Sequence, residues 1–155
     1  KKGWRYVPHV IEPAAGATRG VLALMCEAYA EEAGADDGKG ERTLLRLHPR
    51  LAPYKAAVLP LVKRDGMPEV ARRIADAFFS AGVKARYDEQ HAIGKRYARH
   101  DEIGTPYCLT VDSQTSEDDT VTIRYRDSRR QERIKVADAL SVVQKALLGA
   151  DSSPA

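Results

Sequence analysis

The sequence predicts an α/β fold, a mixed and mainly parallel sheet flanked by helices, with a separate strand and helix ahead of it. Between Ala56 and Asp112, apolar strand-like runs alternate with two helical stretches, the pattern of right-handed crossovers that pair strands in parallel. Between Thr120 and Val136, a two-residue alternation turns back on itself, which adds antiparallel strands. His48-Pro49-Arg50-Leu51-Ala52-Pro53 separates this pattern from what precedes it, because neither proline can continue a regular element.

In chain order, Tyr6-Val7 and Val10-Ile11 around Pro8 read as a short strand running into the small-residue turn Glu12-Pro13-Ala14-Ala15-Gly16. Val21, Leu24, Met25, Ala28 and Tyr29 recur at helical spacing, so an amphipathic helix is expected from Gly16 to Gly34. Residues 35–41 are rich in Gly and Asp and read as a loop, and Thr43 to Leu47 as a further strand. Ala56 to Val62 is an almost unbroken apolar run, as in a strand buried on both faces. Pro68 suits a first helical position, and Val70, Ile74, Ala77, Phe78 and Ala81 mark one helix face that closes at Gly82. Val83 to Asp88 is the next strand, Gly94 to Ile103 a short polar helix and Pro106 to Asp112 a third strand. Val121, Ile123 and Tyr125 alternate with Thr120, Thr122, Arg124 and Arg126, so the first set is expected to point inward and the second to form a polar sheet face. The chain then turns through Asp127 to Arg130 into a strand over Glu132 to Val136. A last helix with Val136, Leu140, Val143 and Leu147 on one face stops at Gly149.

Composition narrows the function. At 155 residues and 43% apolar content, one domain with an appendage can bury a real core, roughly 70% of the extended chain's surface, without disulfides or metals. Cys26 and Cys108 stand singly in apolar stretches, which favours core packing in a reducing cytoplasm over a disulfide framework or a nucleophile. His9, His48, His91 and His100 show no metal-ligand spacing. No apolar run reaches membrane-spanning length and no secretory leader opens the chain, so it reads as soluble and unexported. The opening Lys1-Lys2-Gly3-Trp4, without a Met, is expected of a piece of something longer. A net charge of +3 is too small to hold a polyanion by bulk attraction, so a nucleic-acid partner needs a local patch.

Three constellations carry chemistry. In Glu12 to Arg19, small residues at a helix start leave backbone N–H groups open to an anion, with a carboxylate before them and an arginine one turn in; a plain packing turn has the same composition. In Gly94 to Tyr107, Lys95 and Arg99 are helix neighbours, as are Arg96 and His100, while Asp101 and Glu102 are placed to neutralise them. Arg124, Arg126, Arg129, Arg130 and Arg133 surround the expected hairpin. A basic, tyrosine-bearing surface of this kind suits single-stranded RNA, although solubilising arginines look alike in a sequence.

The strings Tyr6-Val7-Pro8-His9-Val10-Ile11-Glu12-Pro13, Leu45-Arg46-Leu47-His48-Pro49, Val58-Leu59-Pro60-Leu61-Val62-Lys63, Ile93-Gly94-Lys95-Arg96-Tyr97, Asp101-Glu102-Ile103-Gly104-Thr105-Pro106 and Thr120-Val121-Thr122-Ile123-Arg124 occur in that order. Together they resemble the C-terminal part of the dimeric class II glycyl-tRNA synthetases, from about Tyr6 to Leu148. The resemblance implies that residues 1–50 are the end of a class II catalytic domain with its third signature motif. Residues 51–149 would be an anticodon-binding domain of the kind shared by the glycyl, histidyl, prolyl and threonyl enzymes, and residues 150–155 a disordered tail.

By position, the resemblance implies that Glu12, Pro13, Ala14, Ala15 and Gly16 line a glycine pocket, with a buried Glu12 carboxylate facing the substrate ammonium. Gly16, Ala17, Thr18 and Arg19 would meet ATP, with Arg19 on its phosphates and Mg accompanying the nucleotide. Ala14 stands where a serine is frequent, Thr18 where an acid usually precedes the arginine, and Tyr125 where an acid is frequent. For the tRNA, the expected contacts are Lys95, Arg96, Arg99, Arg124 and Arg126, with Tyr87 or Tyr97 stacking on bases. The implied whole is a cytoplasmic, homodimeric glycine-tRNA ligase that binds no structural metal and no membrane. The piece alone, without the other class II motifs, is expected to bind tRNA but not to aminoacylate. The alternative is a free-standing accessory or protein-interaction domain of the same fold.

Overall fold

The computed structural model describes residues 3–33 and 41–149. Residues 3–16 have no regular structure, so the strand expected around Tyr6 to Ile11 is absent. Pro8 and Pro13 withhold two backbone donors there, and no neighbouring strand among the described residues pairs with this segment. Helix α1 (Ala17–Ala28) begins after Gly16 as expected but stops at Ala28, not Gly34. Tyr29 turns extended, and β1 (Tyr29–Ala33) pairs antiparallel with β2 (Glu41–Leu45) in register Tyr29↔Leu45 to Ala33↔Glu41. Cross-strand pairing has overridden a helical periodicity that Tyr29 continued by one position only. The expected Gly34 stop, the loop expected over 35–41 apart from Glu41, which begins β2, and the tail over 150–155 lie outside the described residues.

Beyond the proline-containing turn stands one five-stranded sheet in the order β4-β3-β5-β6-β7. It comprises β3 (Ala56–Pro60), β4 (Ala85–Tyr87), β5 (Tyr107–Val111), β6 (Thr120–Tyr125) and β7 (Gln131–Lys135). The first three are parallel and the last two antiparallel, so the mixed, mainly parallel sheet read from the sequence is present. The connections are α2 (Met67–Ser80), α3 (Ile93–Glu102) and one turn of helix, α4 (Thr115–Asp118), in the stretch expected to be loop; α5 (Val136–Leu147) ends the domain. Pro68 sits in the first turn of α2 and Gly82 follows it at positive φ, which are the start and stop that the sequence announces.

The sheet is covered on both faces, and the pleat decides which residue goes where. Val58, Leu109, Val111, Val121 and Ile123 form one continuous core with Ile74 and Phe78 of α2 and Val143 of α5. Ala57, Leu59 and Cys108 face the other way, under Ile93 and Tyr97 of α3. Every residue of β3 and β5 is buried, as their unbroken apolar runs demand.

The β1–β2 hairpin rests on the loop between α3 and β5, where Gly104 adopts φ +80°. A Cβ there would lie 2.9 Å from Leu47 Cδ1 and 3.1 Å from the Leu45 carbonyl oxygen. Gly82 has a similar φ of +74° but open space around it, so the two separate backbone strain from lost docking. Gly82→Ala is expected to cost about 1 kcal/mol in urea unfolding, and Gly104→Ala clearly more. Equal losses would show that the hairpin does not bear on this loop.

Candidate nucleic-acid interface

Parallel strands of an open sheet direct their carboxyl ends to one edge, where ligands of such folds commonly bind. Here that edge is built on Arg96 of α3. Its guanidinium is buried and donates to the carbonyls of Pro60 at 2.5 Å, Leu61 at 3.1 Å and Asp88 at 3.3 Å, so one cation ties the ends of β3 and β4 together. Arg96 Nε has no hydrogen-bond partner among the described residues. Asp88 is also buried. Its carboxylate accepts the Gln90 backbone N–H at 2.9 Å and Arg99 Nη1 at 2.6 Å, and these outweigh burial to hold it below the usual carboxylate range.

Outside this anchor lie groups that solvent reaches. Tyr87, at the end of β4, carries the Arg72 guanidinium 4.3 Å from its ring centre and donates its hydroxyl to Glu89. Burial and the Glu89 carboxylate push the Tyr87 hydroxyl up to about 12. Glu89 lies 3.6 Å from Arg72 and 3.9 Å from Lys63, while Lys63 and Gln90 are exposed. Lys95 projects into solvent one turn before Arg99.

The second basic cluster is corrected by the structure. Arg124 and Arg126 do not line a polar surface; they are 7% and 2% exposed. Helix α3 and the hairpin cover their sheet face, because Asp101 provides the buried partner that makes this possible. Arg124 donates twice to Asp101, both at 2.9 Å, and Arg42 of β2 donates to the same carboxylate at 2.9 Å. Arg42 also reaches Glu32 at 2.7 Å and the Arg126 carbonyl. Arg126 Nη1 donates to the Gly104 carbonyl at 2.8 Å. Arg129, Arg46 and Arg42 together draw Glu32 down to about 2. Tyr97 lies beneath Arg124, 4.8 Å from ring centre to guanidinium, and shares a 2.6 Å hydrogen bond with Thr110. Of the seven residues expected to meet RNA, Arg96, Arg124 and Arg126 are therefore internal braces and Tyr97 is mostly packed, leaving Lys95, Arg99 and Tyr87 near the carboxyl edge. Lys63, Arg72, Glu89 and Gln90 complete that edge and were missed. Their only signal was position, within a few residues of the end of a parallel strand or on the helix beside it.

The other constellation lies apart. Glu12, Pro13, Ala14, Ala15, Gly16, Ala17, Thr18 and Arg19 are all exposed, as is the rest of residues 3–27, and Glu12 has no ion-pair partner among the described residues. Gly16 precedes α1 with its N–H ends uncapped by any side chain, which is the backbone setting an anion needs but not the buried carboxylate expected of Glu12. Cys26 also departs from its apolar context and is exposed, because α1 buries only Ala28. Cys108 is in the core, where burial pushes its thiol up to about 12. Among the described residues no three His, Cys, Asp or Glu side chains gather as a metal would require, and no helix is long and apolar enough to cross a membrane.

His100 lies behind the anchor, fully buried, with Nδ1 3.1 Å from Thr105 Oγ1, Nε2 unpartnered and Asp88 Oδ2 3.6 Å away. Burial lowers it to about 4, with Asp88 and Asp101 opposing that shift and Arg86 and Arg99 reinforcing it. The unfolded chain takes up this proton near the ordinary 6.5, so the neutral imidazole favours folding above that pH and the advantage is lost as pH falls toward 4. Urea unfolding is expected to lose up to about 3 kcal/mol over this interval. His100→Gln should flatten the profile there, and an unchanged slope would move the dependence to another group.

Two comparisons with known proteins bear on this edge. Residues 55–146 match a family described as an anticodon binding domain. The chain is 54% identical over 142 residues to a glycine-tRNA ligase of Rhodopirellula baltica, covering 90% of this chain and 26% of that protein. It is 51% identical over 146 residues to one of Borrelia hermsii, covering 94% and 32%, and 49% identical over 145 residues to one of Clostridium perfringens, covering 92% and 30%. The chain thus spans about a third or less of the length of these curated relatives.

Proposed function

The chain belongs to the anticodon-binding domain family, and we propose that it recognises the anticodon of a glycine tRNA as part of a glycine-tRNA ligase. That enzyme would activate glycine with ATP and transfer it to the tRNA in the cytoplasm, acting as a homodimer. The observation that carries the reading is identity of about half over nearly the whole chain to proteins named for that reaction. It favours the ligase over a free-standing accessory domain.

Anticodon bases would be read at the carboxyl edge of β3 and β4. There Lys63, Lys95 and Arg99 supply charge for phosphates, Tyr87 with Arg72 a surface on which a base can stack, and Gln90 both a donor and an acceptor for a base edge. Arg96 fixes the two loops that present these groups, and Arg124 and Arg126 hold α3 in place from behind. The segment from Glu12 to Arg19 would serve the other half of the reaction. With the remainder of the catalytic domain, Glu12 and the Pro13 to Gly16 turn would bound the glycine site. Arg19 and the N–H groups from Gly16 to Thr18 would face the ATP phosphates and their Mg. Separated from that remainder, the chain would bind tRNA without aminoacylating it, since catalysis of this type rests on positioning both substrates.

Equilibrium binding to a glycine tRNA, and to the same tRNA with its anticodon replaced, tests the reading at two salt concentrations. Preference for the native anticodon is expected, with affinity falling as salt rises. Gln90→Ala should cost about 1–3 kcal/mol with the native anticodon and little with the replaced one. Equal binding of both tRNAs by the unmodified chain would overturn the proposal.

A further inference from the structure

At the opposite end of β3 and β4 is a basic cluster that the carboxyl edge does not use. Tyr54, just before β3, has the Lys84 ammonium 5.2 Å and the Arg86 guanidinium 5.4 Å from its ring centre. Lys84, just before β4, and Arg86 within it are two residues apart, and both are exposed beside Tyr54. The backbone N–H of Lys55 donates to the Lys84 carbonyl at 2.7 Å, which brings the two lysines side by side. Burial, and next to it the Lys84 charge, hold the Lys55 ammonium below its usual range. Lys55 Nζ donates only to carbonyls, those of Arg50 at 2.8 Å and Ala52 at 2.9 Å, and Arg50 is itself exposed.

What sets this cluster apart is the lack of acids. Around the hairpin, Arg124, Arg126, Arg129, Arg130 and Arg133 each lie within ion-pair distance of a carboxylate. Among the described residues no carboxylate pairs with Arg50, Lys55, Lys84 or Arg86; Lys84 and Arg86 meet the Tyr54 ring and Lys55 meets carbonyl oxygens. Four like charges left unneutralised are a cost to folding that a polyanion would remove, and the Tyr54 ring holds two of them close together. β4 is the outermost strand of the sheet, with no further strand beside it among the described residues. From Lys84 to Asp88 the chain advances about 13 Å at strand rise, so an RNA held at the carboxyl edge can run along β4 to the cluster.

We propose that Tyr54, Lys84 and Arg86, with Arg50 and Lys55 beside them, form a second RNA-binding patch that takes backbone phosphates of the tRNA outside its anticodon. This rests on the anticodon reading above for the identity of the RNA. Phosphate contacts position a nucleic acid and carry no sequence information, so the patch adds affinity without adding discrimination.

The test is the affinity of the chain for the native and anticodon-replaced glycine tRNAs across a salt series, with Lys84→Gln/Arg86→Gln compared against Lys135→Gln/Lys145→Gln, exposed lysines elsewhere. Thermal melting checks that each variant is folded. The patch variant is expected to lose about tenfold in affinity for both tRNAs alike, to reduce the slope of log affinity against log salt by about two, and to keep the ratio between the tRNAs. The control pair should change neither. Unchanged affinity and slope in the patch variant would overturn the proposal, and so would an equal loss in the control pair, which would show bulk charge alone. If the unmodified chain binds both tRNAs equally, the anticodon reading fails, while a slope lowered only by the patch variant still supports the patch.

Discussion

Asp101 is the carboxylate on which the arrangement of this chain turns. It is 1% exposed and satisfies two arginines at once, Arg124 from the sheet and Arg42 from the hairpin. A buried ion pair of this kind contributes little net stability against an apolar replacement, because desolvating the charges offsets their attraction. Its weight lies in the cost of getting it wrong, since a misplaced α3 leaves Arg124 charged and unpaired in the interior of the fold. The triad therefore selects one placement of three elements that are far apart in the chain.

Helix α3 gains from this an unusual division of labour for a segment of ten residues. Asp101 looks back toward Arg124 and the hairpin, Ile93 and Tyr97 cover the apolar face of the sheet, and Arg96 reaches forward to three carbonyls at the strand ends. The exposed groups of the carboxyl edge thus stand on loops that Arg96 anchors from within the fold. Arg96 and Asp101 lie on one short helix, so the hairpin and the loops after β3 and β4 are tied to the same element.

Much of the fold was legible because the parallel strands and the helices between them announce themselves locally. The apolar run from Ala56 is buried as far as Pro60, and Pro68 and Gly82 bracket α2. The hairpin was half hidden, since Tyr29 fits the helical period and its pairing with Leu45 depends on residues beyond a loop. The site was less legible for a related reason. Charge patterns say which residues are basic, not whether a carboxylate from another element meets them; Arg124 and Arg126 alternate like surface residues, yet Asp101 and Arg42 enclose that face. Arg96 looked like the other cations of its helix and is buried because carbonyls at strand ends need donors. Lys63 and Gln90 have no sequence pattern at all. Their place at the edge follows from strand order, which appears only when the sheet is assembled.

The pairing of Glu32 and Arg42 with Arg129 and Asp101 also bears on how separable the parts of this chain are. Domains of a mosaic protein can be exchanged freely when the seam between them is apolar and undemanding, but here it is written in complementary charges from both sides. Residues 51–149 taken alone would keep the Arg124–Asp101 pair but leave Asp101 without Arg42 and Arg129 without Glu32. The matched family domain begins at residue 55, after the prolines, so a graft that also keeps Glu32 and Arg42 with Arg129 and Asp101 has to begin further upstream, at the hairpin.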